Sequence, residues 1–347
     1  MKEEKRHYEE VDMPIYHTFL SPYLPEKILD FHTHIWKSGH WKIIPWEKDI
    51  KGGRYMVVEK EYTAEKLISD MKYLFPDREY NCVCFGLPTP SIDIEKSNAY
   101  VIEKSKKKQQ LFPLLLAGKG LISKKEIERA IFEKGFLGYK VFLPWQGDNY
   151  SNIKVEDMIG NEEMDIANRY GLIVLLHVPG KNRLADPMVQ KSIRYYSKKY
   201  INAKIILAHC GRCYHPDDMF KAIKSIKDLE NVYLDTAMVM EPMIFQILFS
   251  EIKSSRIIFG TDIPIALMRG RRVYVKDHWV DVVLKGYPPS AFRVEGDNFD
   301  ATFMVYEIIL AIVRAGKISG LSKEEISRIF NKNGFNLIKE VLKVIKS

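Results

Sequence analysis

The sequence predicts an α/β fold, a (β/α)8 TIM barrel with long loops after strands 1 and 8, and three observations predict it. Eight short apolar runs rich in Val, Ile, Leu and aromatics fall at 28–32, 80–86, 111–117, 136–142, 172–177, 204–209, 231–236 and 256–261. Unbroken apolar runs of this length suit parallel strands covered on both faces. Amphipathic stretches lie between them, and eight such units in 347 residues close into a barrel more often than they stay an open sheet. No Pro-rich or Gly/Ser linker divides the chain, so one barrel domain over 1–347 is expected, its core at about 28–340.

The elements follow in order. Residues 1–27 precede the first strand. The first strand ends in Asp-Phe-His-Thr-His at 30–34, and a loop over 35–62 carries Trp36, Trp41 and Trp46. Helices are expected over Thr63–Leu74, Glu95–Lys107, Lys124–Phe132, Val155–Tyr170 and Pro216–Ile226. Ser123 with Glu126 three residues on reads as a capping box before the third of these. A second long insertion, 263–300, follows the last strand and holds Arg269, Arg271, Arg272, His278 and Trp279. In a barrel both insertions would overhang the C-terminal rim, where active sites lie. The stretch 322–346 reads as one or two closing helices.

Composition narrows the class. Apolar residues make up 46% of the chain, enough for a sizeable core. No run of about 18 apolar residues marks a membrane span, and MKEEKRHYEE at the start has no apolar stretch of a secretory leader. Four cysteines are too few for a disulfide framework, so a cytoplasmic protein with reduced thiols is expected. The net charge of +8 comes from Lys scattered among Glu and Asp. It forms no basic stripe with interleaved aromatics, which argues against nucleic-acid binding. The expected partners are a small-molecule substrate and further copies of the chain, with no nucleic acid and no membrane.

The chemistry gathers at strand ends. His32 and His34 sit two apart, so on an extended backbone both imidazoles face one side. LIVLLH ends at His177, KIILAH at His209 and RIIFGTD at Asp262. Singly, each reads as a satisfied polar residue. Together they would converge on one rim, and neutral imidazoles with a carboxylate suit Zn²⁺ and similar ions. Cys210-Gly-Arg-Cys213 has redox spacing, but it follows a late strand and reads as structural.

LDFHTHIW, GYKVFLP, LLHVPG, IILAHCGR, VYLDTA and IIFGTDIP, in this order, resemble the amidohydrolase superfamily, and more narrowly its amidohydrolase-related branch with aminocarboxymuconate-semialdehyde decarboxylase-like enzymes. The resemblance implies that His32, His34, His177 and Asp262 bind a divalent metal, Zn first, and that Asp262 takes the proton from water. It gives His209 either a polarising role or a second metal. It raises Lys140 as a second-metal or substrate residue, because a lysine on this strand is carboxylated and bridges two ions in binuclear members. The expected reaction is hydrolysis of a C–N or ester-like bond in a small polar substrate, anionic ones included; the alternative is non-oxidative decarboxylation of an unsaturated or aromatic acid. His209 would hold a developing oxyanion, and Arg269, Arg271 and Arg272 would clamp a substrate carboxylate.

Overall fold

The computed structural model describes residues 2–42, 59–143, 151–275, 278–284, 292–293 and 300–345. Trp46 lies outside the described residues, and so does the side chain of His278.

Eight parallel staves form the barrel. They are β1 (Lys27–His34), β2 (Glu79–Phe85), β3 (Leu111–Pro113) continued by β4 (Leu115–Leu116), β5 (Gly138–Val141), β6 (Ile173–Leu176), β7 (Lys204–Leu207), β8 (Val232–Asp235) and β9 (Ile257–Ile258). The third stave breaks after Pro113, which has no N–H to give a neighbouring strand. Its carbonyl still accepts from Leu137 at 3.0 Å, and Leu114 donates to Cys84 at 3.0 Å, so the wall stays continuous. The barrel closes where Phe31 N–H meets the Phe259 carbonyl at 2.8 Å, Asp262 N–H the His32 carbonyl at 2.9 Å and His34 N–H the Ile263 carbonyl at 3.0 Å. These bonds lie beyond Ile258. The last strand therefore ends earlier than its apolar run, and the residues expected to finish it form the closing seam instead.

Strand alternation sorts β1 into two faces. Leu29 and Phe31 pack outward on the C-terminal helix Lys332–Ile345, close enough that a Cβ on Gly334 would meet both at 2.9 Å. Asp30, His32 and His34 take the opposite face, inside the barrel. On β5, Lys140 likewise points inward, its Nζ lying over the rings of Phe85 and Phe142.

The helices follow the sequence with local corrections. The Ser123–Glu126 capping box forms, with Glu126 N–H on Ser123 Oγ at 3.3 Å and Ser123 N–H on Glu126 Oε2 at 3.1 Å. Thr63 caps Ala64–Leu74. The helix expected over 155–170 is two, Val155–Met158 and Asn161–Tyr170, because Gly160 between them is extended (φ −92°, ψ 179°). The C-terminal stretch is also two helices, Lys323–Ile329 and Lys332–Ile345. The largely buried helix Met304–Ile318 was not anticipated: apolar almost all round, it lacks the two-sided pattern that identifies surface helices. Among the described residues no helix is long and apolar enough to cross a membrane.

The insertion after the last stave begins as a hairpin. β10 (Gly270–Val275) pairs antiparallel with β11 (His278–Val283), and β12 (Phe292–Arg293) lies parallel to β11. The hairpin rests on the segments that follow β7 and β8. The Trp279 ring is 5.6 Å from Tyr214, the Tyr274 ring is 4.2 Å from His215, and Arg271 donates to the Met240 carbonyl at 3.0 Å.

Candidate metal centre

The inward residues of β1 meet those of β5, β8 and the closing seam. His32 is the hub. Its Nδ1 is 2.8 Å from Asp235 Oδ2, and its Nε2 is 3.0 Å from Lys140 Nζ and 3.4 Å from Asp262 Oδ1. His34 Nδ1 is 3.1 Å from the Gly86 carbonyl and its Nε2 3.1 Å from Asp262 Oδ1. His209 Nδ1 is 3.0 Å from the Ala237 carbonyl. The backbone comes equally close: a Cβ on Gly260 would lie 3.0 Å from that of His32.

Tautomers follow from these partners. A carbonyl can only accept, so His34 and His209 carry their proton on Nδ1. The Asp235 carboxylate places it there in His32 as well. Burial pushes all three imidazoles below their usual pKa, His209 to about 3, so the rings are neutral and each Nε2 presents a lone pair. Burial works against the Asp262 carboxylate as well; positive charge on the facing imidazoles would hold it well below the ordinary range, and beside neutral rings that part falls to the Lys140 ammonium or to a bound cation. His34 Nε2 and Asp262 Oδ1 are thus two acceptors 3.1 Å apart. A cation held by both would relieve that repulsion.

Two groups of donors could hold an ion among the described residues: His32 with His34 and Asp262, and His32 with His209 and Asp235. His177 stands beside them. Its ring stacks on Phe142 at 4.8 Å and meets His209 edge-on at 5.2 Å, and its buried Nδ1 has no hydrogen-bond partner among the described residues. An orphaned ring nitrogen beside imidazoles and a carboxylate fits a nitrogen- and oxygen-liganded divalent ion. Lys140 is wholly buried, and desolvation lowers its ammonium pKa to about 8.

The turn after β7 carries unusual backbone. His209 (φ 57°), Cys210 (φ 50°), Gly211 (φ 69°) and Arg212 (φ 60°) are all left-handed, as is Asp262 (φ 73°) across the barrel. Each such non-glycine residue costs roughly 1–3 kcal/mol, so local contacts must hold it. His209 N–H donates to Asp235 Oδ1 at 2.6 Å, Cys210 Sγ–H to the Asp235 carbonyl at 3.2 Å and Arg212 to the Val178 carbonyl at 3.0 Å. Cys210 and Cys213 are buried, and desolvation raises both thiols, which leaves them unreactive.

Two residues of this centre escaped the sequence reading. Asp235 bonds His32 with one oxygen and takes the N–H groups of His209 and Ala237 with the other. Asp30 takes the N–H groups of His32 and Thr261 and the hydroxyls of Tyr80 and Thr261, and burial raises its carboxyl to about 7. The signal for both was an acidic residue inside an apolar strand, where an unpartnered carboxylate is costly.

The arginines are committed within the chain. Arg269 binds Asp12 through Nε at 2.8 Å and Nη2 at 2.6 Å, and its Nη1 reaches Glu4 at 2.5 Å. Arg272 binds Asp281 through Nε at 2.8 Å and Nη2 at 2.9 Å. Arg271 donates to Met240 and lies 3.6 Å from Glu307. The chain's own carboxylates hold the forks expected to clamp substrate.

The model for the family described as Amidohydrolase matches residues 118–333, more than half of the chain. The chain belongs to the amidohydrolase family. Solved structures resemble this amidohydrolase over nearly all of its length. A zinc-bound amidohydrolase from Burkholderia multivorans is 12% identical, with TM-score 0.58 over 90% of this chain and 99% of that one. A TIM-barrel protein from Bordetella bronchiseptica is 14% identical (TM-score 0.54, 91% and 99%). The 2,6-dihydroxybenzoate decarboxylase from Rhizobium is 11% identical (TM-score 0.54, 91% and 99%). At these identities the likeness bears on the fold, and it supports the (β/α)8 barrel. No curated protein matches the chain.

Proposed function

We propose that this amidohydrolase is a metal-dependent hydrolase that cleaves a C–N or ester-like bond in a small polar substrate. One observation carries the reading. Hydrogen-bond partners at Nδ1 leave the Nε2 lone pairs of His34 and His32 turned towards a carboxylate oxygen of Asp262, at 3.1 and 3.4 Å, the His32 lone pair shared with the Lys140 ammonium at 3.0 Å, which a bound ion would displace. Those three residues would hold one divalent ion, Zn²⁺ first, with His177 completing the set through its unpartnered ring nitrogen. When bound, such an ion supplies Lewis acidity, polarising a carbonyl oxygen and making water acidic enough to lose a proton near neutral pH.

The remaining work falls to the chain. Asp262, ionised and on a rigid turn, takes a proton from water and returns it to the leaving group. His209 has its proton on Nδ1, tied to the Ala237 carbonyl. Its Nε2 therefore accepts a proton or an ion and has no hydrogen to offer an oxyanion, which reverses the donor role expected from sequence. Asp235 fixes the His32 tautomer and raises its basicity as a ligand. Lys140, flanked by the Phe85 and Phe142 rings, offers a buried ammonium to an anionic substrate. A carboxylated Lys140 would instead admit a second ion.

The aromatic faces beside that ammonium support a second reading, non-oxidative decarboxylation of an aromatic or unsaturated acid. The fold's likeness to 2,6-dihydroxybenzoate decarboxylase supports it too. Elemental analysis of protein purified without added metal or chelator, followed by amide, lactone and hydroxybenzoate panels, tests both. One ion per chain with amine or acid release is the hydrolase result, and CO2 release is the decarboxylase result. An absence of metal, with no uptake of Zn²⁺, Mn²⁺ or Co²⁺, overturns both.

A further inference from the structure

The left-handed turn after β7 is fastened at both ends. At its start, the His209 N–H is held by Asp235 Oδ1 at 2.6 Å. Its middle is pinned by packing, since a Cβ on Gly211 would run into Leu184 at 2.6 Å. The chain leaves it through Cys213 into Tyr214, whose ring is 6.2 Å from His209 and nearly buried. The other side of that ring meets the hairpin. The Arg272 guanidinium lies 4.8 Å from the Tyr214 ring and 4.1 Å from Trp279, and Tyr214 and Trp279 are themselves 5.6 Å apart. The Arg272 side chain is 7% exposed and its bidentate partner Asp281 is fully buried.

A planar guanidinium fixed by two parallel bonds and packed against two aromatic rings that also touch each other is far more rigid than a surface charge. Four consecutive left-handed residues will relax unless their surroundings over-determine them. The hairpin supplies the outer restraint. We propose that Arg272 is a positioning residue: held by Asp281, it clamps Tyr214 and so keeps the strained turn closed with His209 facing the metal centre. The hairpin thereby couples the insertion after the last stave to a strand-end residue of the metal centre. The functional meaning of the clamp rests on the proposed role of His209; the clamp itself does not.

The test is amide hydrogen exchange on the full chain, residue by residue, in Arg272→Lys and Asp281→Asn. Lysine keeps the charge and loses the fork and the stacking plane. Asparagine keeps the shape and loses the ion pair. The internal control is the Leu29 N–H, bonded to the Phe330 carbonyl at 2.8 Å on the outward face of β1 and sharing no partner with His209. The expected result is at least tenfold faster exchange at His209 with Leu29 unchanged in both variants. Unchanged exchange at His209 overturns the proposal. Equal acceleration at His209 and Leu29 also overturns it, because the pair would then stabilise the whole barrel and not the turn. Full turnover in His209→Ala would sink the catalytic reading of His209 and leave the exchange result standing.

Discussion

Asp235 Oδ2 lies 2.8 Å from His32 Nδ1, with both side chains buried, so the end of the seventh stave orients the hub of the first. The other oxygen of Asp235 holds the His209 and Ala237 amides. One carboxylate therefore sets two imidazoles at once, a link between residues 203 positions apart.

Replacing Asp235 with Asn should weaken metal binding. The His32 ring loses the acceptor that fixes its tautomer, and partners of this kind are typically worth about 10–100-fold in affinity. Competition against a coloured chelator reads this directly. Wild-type affinity would reduce Asp235 to a support of the His209 turn.

Asp262→Asn should leave the fold and the circular dichroism spectrum intact while lowering kcat by about 100-fold or more, the usual contribution of a positioned proton carrier. Retained turnover would remove Asp262 from the proton path.

Stripping the ion should lower stability as well as activity, because it returns His34 Nε2 and Asp262 Oδ1 to unrelieved acceptor contact. Adding Zn²⁺ at a thousand times its dissociation constant should restore about 4 kcal/mol by mass action. A melting temperature that ignores both chelator and Zn²⁺ would contradict the site. His32→Ala should abolish that response.

Arg269→Ala should destabilise the protein by about 3 kcal/mol, because it leaves the fully buried Asp12 carboxylate without its cation. KM for an anionic substrate should hardly change. A large rise in KM with an unmoved urea midpoint would restore Arg269 to the substrate clamp.

The sequence carried the fold because its evidence is local. Apolar runs, the Ser123 capping box and the alternation at 30–34 act within a few residues, and each survives in the structure, with strand ends shifted by up to three residues. The strand-end residues His32, His34, His209 and Asp262 were legible for the same reason, since the end of a barrel strand has only one rim to occupy. Asp235 and Asp30 were not read, because a carboxylate inside a strand earns its place only through donors supplied by other staves. The arginines show the reverse: three in a loop suggest an anion site, yet Asp12 and Asp281, one of them 257 residues distant from its partner, had already claimed two of them. Folding settles such pairings by burial. A charge out of water must find its counterpart in the space around it, and spacing along the chain does not say which groups will share that space.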